Sequence, residues 1–192
     1  MNTIVFAGDS ITDCDRREDP AGLGDGYVLL VADALGGAAR VVNRGISGNS
    51  CRDLRDRWEA DVLAERPSLV SVLVGINDTW RRYDSGTVTP VAEFEANYRA
   101  LLAPLAGVRL VLIEPFLLPV REEQVTWRED LDPKLLVVRS LAVEYDAVLV
   151  PADTALRAAG EAVDVAPDGI HPSTWGHELL AKLWLDHAQV QP

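Results

Sequence analysis

The stretch "TIVFAGDSIT", residues 3–12, decides the fold. Ile4, Val5, Phe6 and Ala7 form an unbroken apolar run that stops at Gly8-Asp9-Ser10. A strand with one face in water alternates apolar and polar residues. A continuous run belongs to a strand covered on both faces, as in a parallel sheet between helices. Gly, Asp and Ser are turn formers, so the abrupt stop has a plain reading as a strand end. It also has a chemical one, because open α/β sheets bind ligands at the carboxyl ends of their strands. Ser10 is therefore a candidate nucleophile.

The same pattern recurs along the chain. Strands are expected over "TIVFA" (3–7), "RVVN" (40–43), "LVSVLV" (69–74), "RLVLI" (109–113) and "AVLV" (147–150). Between them, "SCRDLRDRWEADVLAERP" (50–67) offers Ser50 as a cap, Leu54, Trp58 and Val62 at four-residue steps, and Pro67 as a stop. "TPVAEFEANYRALLAPL" (89–105) has Thr89 as cap and Pro90 at the first helical position, with Phe94, Tyr98, Leu101, Leu102 and Leu105 on one face. "DPKLLVVRSLAVEY" (132–145) and "STWGHELLAKLWLDH" (173–187) show the same period. Alternating β and α elements imply an α/β chain, a three-layer αβα sandwich around a five-stranded parallel sheet. No repeat, linker or shift of composition divides the 192 residues, so one domain over 1–192 is expected. Two segments, 12–24 and 77–88, read as long loops leaving strand ends, where long loops are usually functional.

Bulk properties exclude several classes. Eighteen Lys and Arg against thirty Asp and Glu give a net charge of −12, which disfavours nucleic acid and anionic membrane as partners. The two cysteines, Cys14 and Cys51, have neither framework nor metal-ligand spacing. "MNTIVFAGDS" lacks the basic and long apolar regions of a signal peptide, and the greasiest segment, 105–120, is interrupted by Arg109, Glu114 and two prolines. A cytoplasmic location is the expectation.

Four patches carry chemistry. Ser10 ends the first strand. "NRGISGNS" (43–50) follows the second and supplies Gly45 and Gly48, whose backbone N–H groups can approach a ligand. "GINDTW" (75–80) follows the third and presents the Asn77 amide, and "PDGIHPS" (167–173) places Asp168 three residues before His171. Each has an ordinary structural reading: Asp168-Gly169 a turn, Asn77-Asp78 a cap, Gly45 a tight-turn glycine, His171 a turn histidine. Their ordered coincidence at strand ends is what points to acyl transfer. A serine hydroxyl needs an imidazole to take its proton. The imidazole needs a carboxylate to fix its tautomer, and the tetrahedral intermediate needs preorganised donors. Ser10, His171 and Asp168 fill the first three roles, with the Ser10 N–H, Gly45 N–H and Asn77 amide as oxyanion donors. His177 and His187 read as structural or surface residues. Thr12 stands where the nucleophile elbow of α/β-hydrolases needs a glycine, so the scaffold is a different one. A magnesium phosphatase using Asp9 would need a second aspartate where Ile11 stands. A non-enzymatic relative would be expected to lack one of Ser10, Asp168 and His171.

Taken in order, Gly8-Asp9-Ser10-Ile11, Gly45, Gly75-Ile76-Asn77-Asp78 and Asp168-Gly169-Ile170-His171 resemble the four blocks of the SGNH (GDSL-type) hydrolases. The resemblance implies a flavodoxin-like sheet of order 2-1-3-4-5, a Ser10–His171–Asp168 triad, Gly45 and Asn77 as oxyanion donors, and no metal or organic cofactor. "GDSITDCDR", "RVVNRGISGNSCRDLRDRWEADV" and "GINDTWRRYD" are similar to a bacterial subgroup that includes acetylxylan esterases. This implies a serine carboxylesterase removing small acyl groups, chiefly acetyl, from carbohydrate. It also implies an intracellular homo-oligomer, with Trp80, Arg81 and Tyr83 as a sugar-facing wall or an oligomer contact. A lysophospholipase or thioesterase of the same fold is the alternative and would need an apolar trough for its acyl chain.

Overall fold

The computed structural model describes residues 2–190. Its sheet contains β1 (Thr3–Gly8), β2 (Arg40–Gly45), β3 (Leu69–Leu73), β4 (Arg109–Ile113) and β5 (Val148–Val150), in the order β2-β1-β3-β4-β5. Every pairing is parallel, and Gly8 lies level with Gly45 on one side and Leu73 on the other. The helices, in chain order, are α1 (Ser10–Asp13), α2 (Tyr27–Ala34), α3 (Cys51–Asp56), α4 (Trp58–Asp61), α5 (Ile76–Asp84) and α6 (Val91–Leu102), then α7 (Glu122–Thr126), α8 (Arg128–Glu144), α9 (Ala152–Ala159), α10 (Ala162–Val165) and α11 (Thr174–Ala188).

Both faces of the sheet are buried, which explains why its strands do not alternate in sequence. Ile4 and Phe6 of β1 join Tyr27 and Val31 of α2 and Leu180 and Trp184 of α11 in one core. Val5 and Ala7 point the other way, into a second core with Leu54 of α3, Phe94 and Tyr98 of α6 and Leu141 of α8. In the first core Trp184 Nε1 donates to Ser71 Oγ at 3.0 Å, whereas Trp58 Nε1 and Tyr98 Oη of the second have no partner among the described residues. In the order 2-1-3, the chain leaves β1 toward one edge and β3 toward the other. The gap above β1 and β3 is thus the switch point at which such sheets bind ligands.

Some expected elements are redrawn. The single helix expected from Ser50 to Arg66 is three pieces, α3, α4 and a 3-10 turn at Leu63–Glu65, because the chain bends at Arg57. Ser50 does cap α3, in a reciprocal capping box with Asp53, a device that stabilises a helix by about 1 kcal/mol. Residue 90, not Thr89, is the cap of α6, which begins at Val91. Helix α8 begins at Arg128, ahead of the expected Asp132, because the Arg128 guanidinium forks onto Asp153 at 2.6 and 3.0 Å and holds an extra turn. The segment 77–88 is no long loop: its first part is helix α5. It read as a connection too long to be ordinary, yet Trp80 and Tyr83 pack on Trp127, with ring centroids 6.3 and 5.0 Å away, and that contact makes the helix worth forming. The 12–24 segment keeps one helical turn, α1, and then runs irregularly, tied down by Asp19, which accepts from the N–H groups of Ala21, Leu23 and Gly24.

Candidate active site

Ser10 is the first residue of α1, directly on the end of β1. Asp9 caps that single turn, its Oδ1 accepting the Ile11 N–H at 3.1 Å. The serine therefore sits on a sharp strand-to-helix bend whose backbone is fixed by the sheet. Ser10 Oγ lies 2.9 Å from His171 Nε2, across 161 positions of sequence. His171 Nδ1 lies 2.6 Å from Asp168 Oδ2. With Nδ1–H donating to the carboxylate, Nε2 is left as an acceptor and the serine hydroxyl donates to it. Asp168 Oδ1 accepts two further bonds, from the N–H groups of Ile170 (2.9 Å) and His171 (2.7 Å). The aspartate and histidine thus form one closed local turn.

Electrostatics follow from these contacts. Partial burial acts to raise the Asp168 carboxyl, but the donors of His171 and Ile170 outweigh it and hold the group down at about 2. The hydrogen bond to Asp168 in turn raises His171 above its ordinary value, against a smaller opposing effect of burial. Asp9 behaves oppositely. It is fully buried, Oδ2 has no partner among the described residues, and burial pushes its carboxyl up to about 7. It faces no cleft, which removes it as a phosphatase nucleophile.

The cleft in front of Ser10 measures about 340 Å³ and is lined by Ser10, Ser47, Gly48, Asn77, Trp80, Arg81, Asp84 and His171. The Trp80 ring stands edge-on to the His171 imidazole, centroids 6.0 Å apart. A larger surface hollow of about 680 Å³ runs past Ser50, Asp56 and Thr87, but it holds no nucleophile beside an imidazole.

The structure redraws one expected donor. Gly45 is the last residue of β2, and its N–H is already given to Asn43 Oδ1 at 2.8 Å. Its lack of a side chain serves packing: a Cβ there would lie 2.2 Å from the Asp13 nitrogen. Gly48 is the glycine on the cleft. It occupies a turn closed by the Asn49 N–H on the Ile46 carbonyl (3.2 Å), with φ +82° that suits glycine. The two glycines lie in one loop, and a sequence cannot show which N–H the sheet has already used. Asn77, in the first turn of α5, sends one Nδ2 hydrogen to the Asn49 carbonyl at 3.0 Å. That bond fixes the amide plane and leaves the second hydrogen available at the cleft wall.

Several supporting residues escaped the sequence reading. Asn43 Nδ2 donates to the Thr12 and Leu23 carbonyls at 2.6 and 2.7 Å, joining β2 to the segment after Ser10. An asparagine closing a strand at its ligand-binding edge was the available signal. Asp13 Oδ2 accepts from Ser47 N–H and Oγ, at 2.8 and 2.9 Å. Gln124 Nε2 donates to the Asp168 carbonyl at 2.7 Å while its Oε1 accepts from Val120 and Arg121 N–H, clamping the histidine turn. His177 has a structural place: Nδ1 accepts the Tyr27 N–H at 3.2 Å, and burial lowers its ring to about 4. Cys14 and Cys51 are unpaired, and burial raises the Cys14 thiol to about 12. Among the described residues no group of three His, Cys, Asp or Glu side chains is placed to hold a metal, and no helix is long and apolar enough to cross a membrane.

A doubly wound parallel sheet bearing a Ser–His–Asp array at its switch point defines a serine ester hydrolase. Residues 6–179 match the GDSL-like lipase/acylhydrolase family, and the chain belongs to it. It is 38% identical over 202 residues to an acetylxylan esterase of Geobacillus stearothermophilus, covering 95% of this chain and 91% of that protein. A solved variant of an acetyl xylan esterase from that organism superposes with a TM-score of 0.90 at 35% identity, covering 100% of this chain and 96% of the other. A GDSL-like lipase structure from Parabacteroides merdae gives a TM-score of 0.90 at 36% identity, covering 96% and 94%. Catalytic mutants of the Geobacillus enzyme have been solved at a serine, an aspartate and a histidine, the last two three positions apart.

Proposed function

We propose that the protein is a serine carboxylesterase that removes acetyl groups from acetylated xylo-oligosaccharides through an acetyl-serine intermediate. The hydrogen-bonded chain Ser10–His171–Asp168 carries this reading. His171 Nε2 takes the hydroxyl proton as Ser10 Oγ attacks the acetyl carbonyl carbon, and Asp168 stabilises the imidazolium that forms. The developing oxyanion is met by the Ser10 N–H, the Gly48 N–H and the free hydrogen of Asn77 Nδ2, with Gly48 taking the place first expected of Gly45. His171 then returns the proton to the departing sugar oxygen. In the second half it activates a water, and acetate leaves as Ser10 regains its proton.

The cleft supports a short acyl group. Among the described residues Trp80 is the only large apolar side chain in a lining otherwise made of hydroxyl, amide, imidazole, charged and glycine groups. A long acyl chain would leave the Arg81 and Asp84 charges desolvated without apolar contact in return. The sugar's hydroxyls suit the same lining, with Trp80 as a flat wall. The acetylxylan specificity of the Geobacillus relative supports the alcohol half. We further place the enzyme in the cytoplasm as a homo-oligomer, tested by fractionation and light scattering. The main experiment measures acetate released from acetylated xylobiose, and p-nitrophenol released from the acetate, octanoate and palmitate esters, by wild type and Ser10→Ala. Acetate release by wild type alone, falling steeply with chain length, is expected. Preference for long chains would transfer the enzyme to the lipase branch.

A further inference from the structure

Arg57 touches neither cleft nor triad, yet its guanidinium reaches the strand end before Ser10 and the loop that carries Gly48 directly, and Asn77 through Asn49. Nη2 donates to the Gly8 carbonyl at 3.0 Å, two residues before Ser10. Nη1 donates to the Arg44 carbonyl at 2.8 Å, at the end of β2, and to Asp61 Oδ2 at 2.7 Å. Nε donates to Asn49 Oδ1 at 2.7 Å, beside Gly48. The Asn49 carbonyl is in turn the acceptor that orients the Asn77 amide. The side chain is only 16% exposed. The bend between α3 and α4, with Arg57 at φ −111° and ψ 5°, brings it there. A continuous helix would have left this residue on its own surface.

We infer that Arg57, acting through Asn49, is the positioning residue for the Asn77 donor of the oxyanion hole. The inference rests on the serine-esterase reading above. The ends of β1 and β2 are joined by the sheet, with the Ile46 N–H on the Gly8 carbonyl at 3.1 Å, but Asn49, at the far end of the turn after β2, lies beyond that ladder. A planar fork with five N–H donors holds them in one relative position. Asp61 neutralises the charge at an i,i+4 spacing, so the contribution to the reaction is geometric. Lysine keeps the charge but is a compact point on a flexible stem and does not span four acceptors in different directions. Small displacements of an oxyanion donor are costly, since a misplacement of about 1 Å lowers rates by up to about 10²-fold. Asn49 is the link by which the effect reaches Asn77.

The test is a double-mutant cycle on p-nitrophenyl acetate hydrolysis, with thermal unfolding recorded for each variant. Arg57→Lys is expected to lower kcat about tenfold with KM within about twofold, as for a group acting only on the transition state. In an Asn77→Ala background the same change is expected to cost less than about threefold, because the donor it positions is already gone. Asn49→Ala, which cuts only the Nε contact, is expected to show the same dependence on Asn77. It carries the cycle alone if Arg57→Lys does not fold. A general loss of structure would instead lower kcat equally with and without Asn77, and that result overturns the inference, as does full kcat in both variants. A wild type inactive on the ester, or activity surviving Ser10→Ala, overturns the serine-esterase reading itself and the inference with it.

Discussion

Asp9 and Asp168 stand on the two sides of the Ser10–His171 pair, one beside the serine and the other three residues before the histidine. Asp9 is fully buried, with one oxygen lacking a partner among the described residues, and burial pushes it up to about 7. The Asp168 side chain is 43% exposed, accepts three bonds and is held at about 2. Proximity to the reacting groups therefore does not make a carboxylate useful; donors aimed at its charged form do. The two sides also differ in how they are built. The serine side is part of the sheet, packed against Gly45 and braced by Asn43, Asp13 and Arg57. The histidine side is a short turn whose rigidity comes from its own hydrogen bonds and from Gln124.

The largest effect that sharpens this contrast is loss of the proposed nucleophile. Ser10→Ala is expected to lower kcat for acetate release on the order of 10⁴-fold, while leaving the sheet intact as judged by circular dichroism. Asp168→Asn comes next, with an expected loss of about 10³-fold. Its oxygen can still take the Ile170 and His171 N–H groups, but its amide would face Nδ1 and favour the wrong tautomer. Asp9→Asn measured beside it should keep most activity. An equal loss in the two variants would break the distinction drawn between the carboxylates.

Gln124→Ala is expected to reduce kcat about tenfold by freeing the Asp168 turn. Crystal structures of the variant would show whether the Ser10–His171 contact lengthens. The pH dependence tests the imidazole directly. Protonated His171 cannot accept the Ser10 proton, so kcat/KM should fall on the acid side with a midpoint above 6.5, because Asp168 raises the histidine. A midpoint below 6.5 would mean that burial, not the carboxylate, dominates.

The smallest effect concerns stability. Because Asp9 titrates at about 7 when folded against 3.8 when unfolded, the native state holds the extra proton between these values, and stability is lost as pH rises through that window. Asp168, displaced the other way to about 2, contributes stability above pH 3.8 that is lost as pH falls toward 2. Asp9→Asn should therefore gain Tm relative to wild type as pH goes from about 4 to about 7. A constant difference over that range would show that Asp9 is not strained by burial.

Much of this was legible in the chain. The mostly apolar, non-alternating runs at 3–7, 69–74 and 109–113, set between helical stretches, read as strands buried on both faces, and so implied the parallel sheet and the edge at which Ser10 stands. Asp168 and His171 were legible because their contact is local, closed within four residues. Helix α5 was not, because its formation depends on the Trp127 surface from another part of the chain. Gly48 could not be told from Gly45, since the difference lies in whether β2 extends far enough for Asn43 to take the Gly45 N–H. Arg57 was invisible for a related reason. Helical period alone puts it in solvent, and only the bend at that residue turns it under the loops.

Sequence by itself pointed to the layers, the ligand-binding edge of the sheet and the residues of the proposed triad, because these follow from burial pattern and local turns. Tertiary structure alone decided the convergence: Ser10 and His171, 161 positions apart, meet at 2.9 Å. It also decided which backbone N–H groups remain free to meet an oxyanion. Those outcomes depend on hydrogen bonds between distant segments, where each donor is used once and the sheet claims its share first.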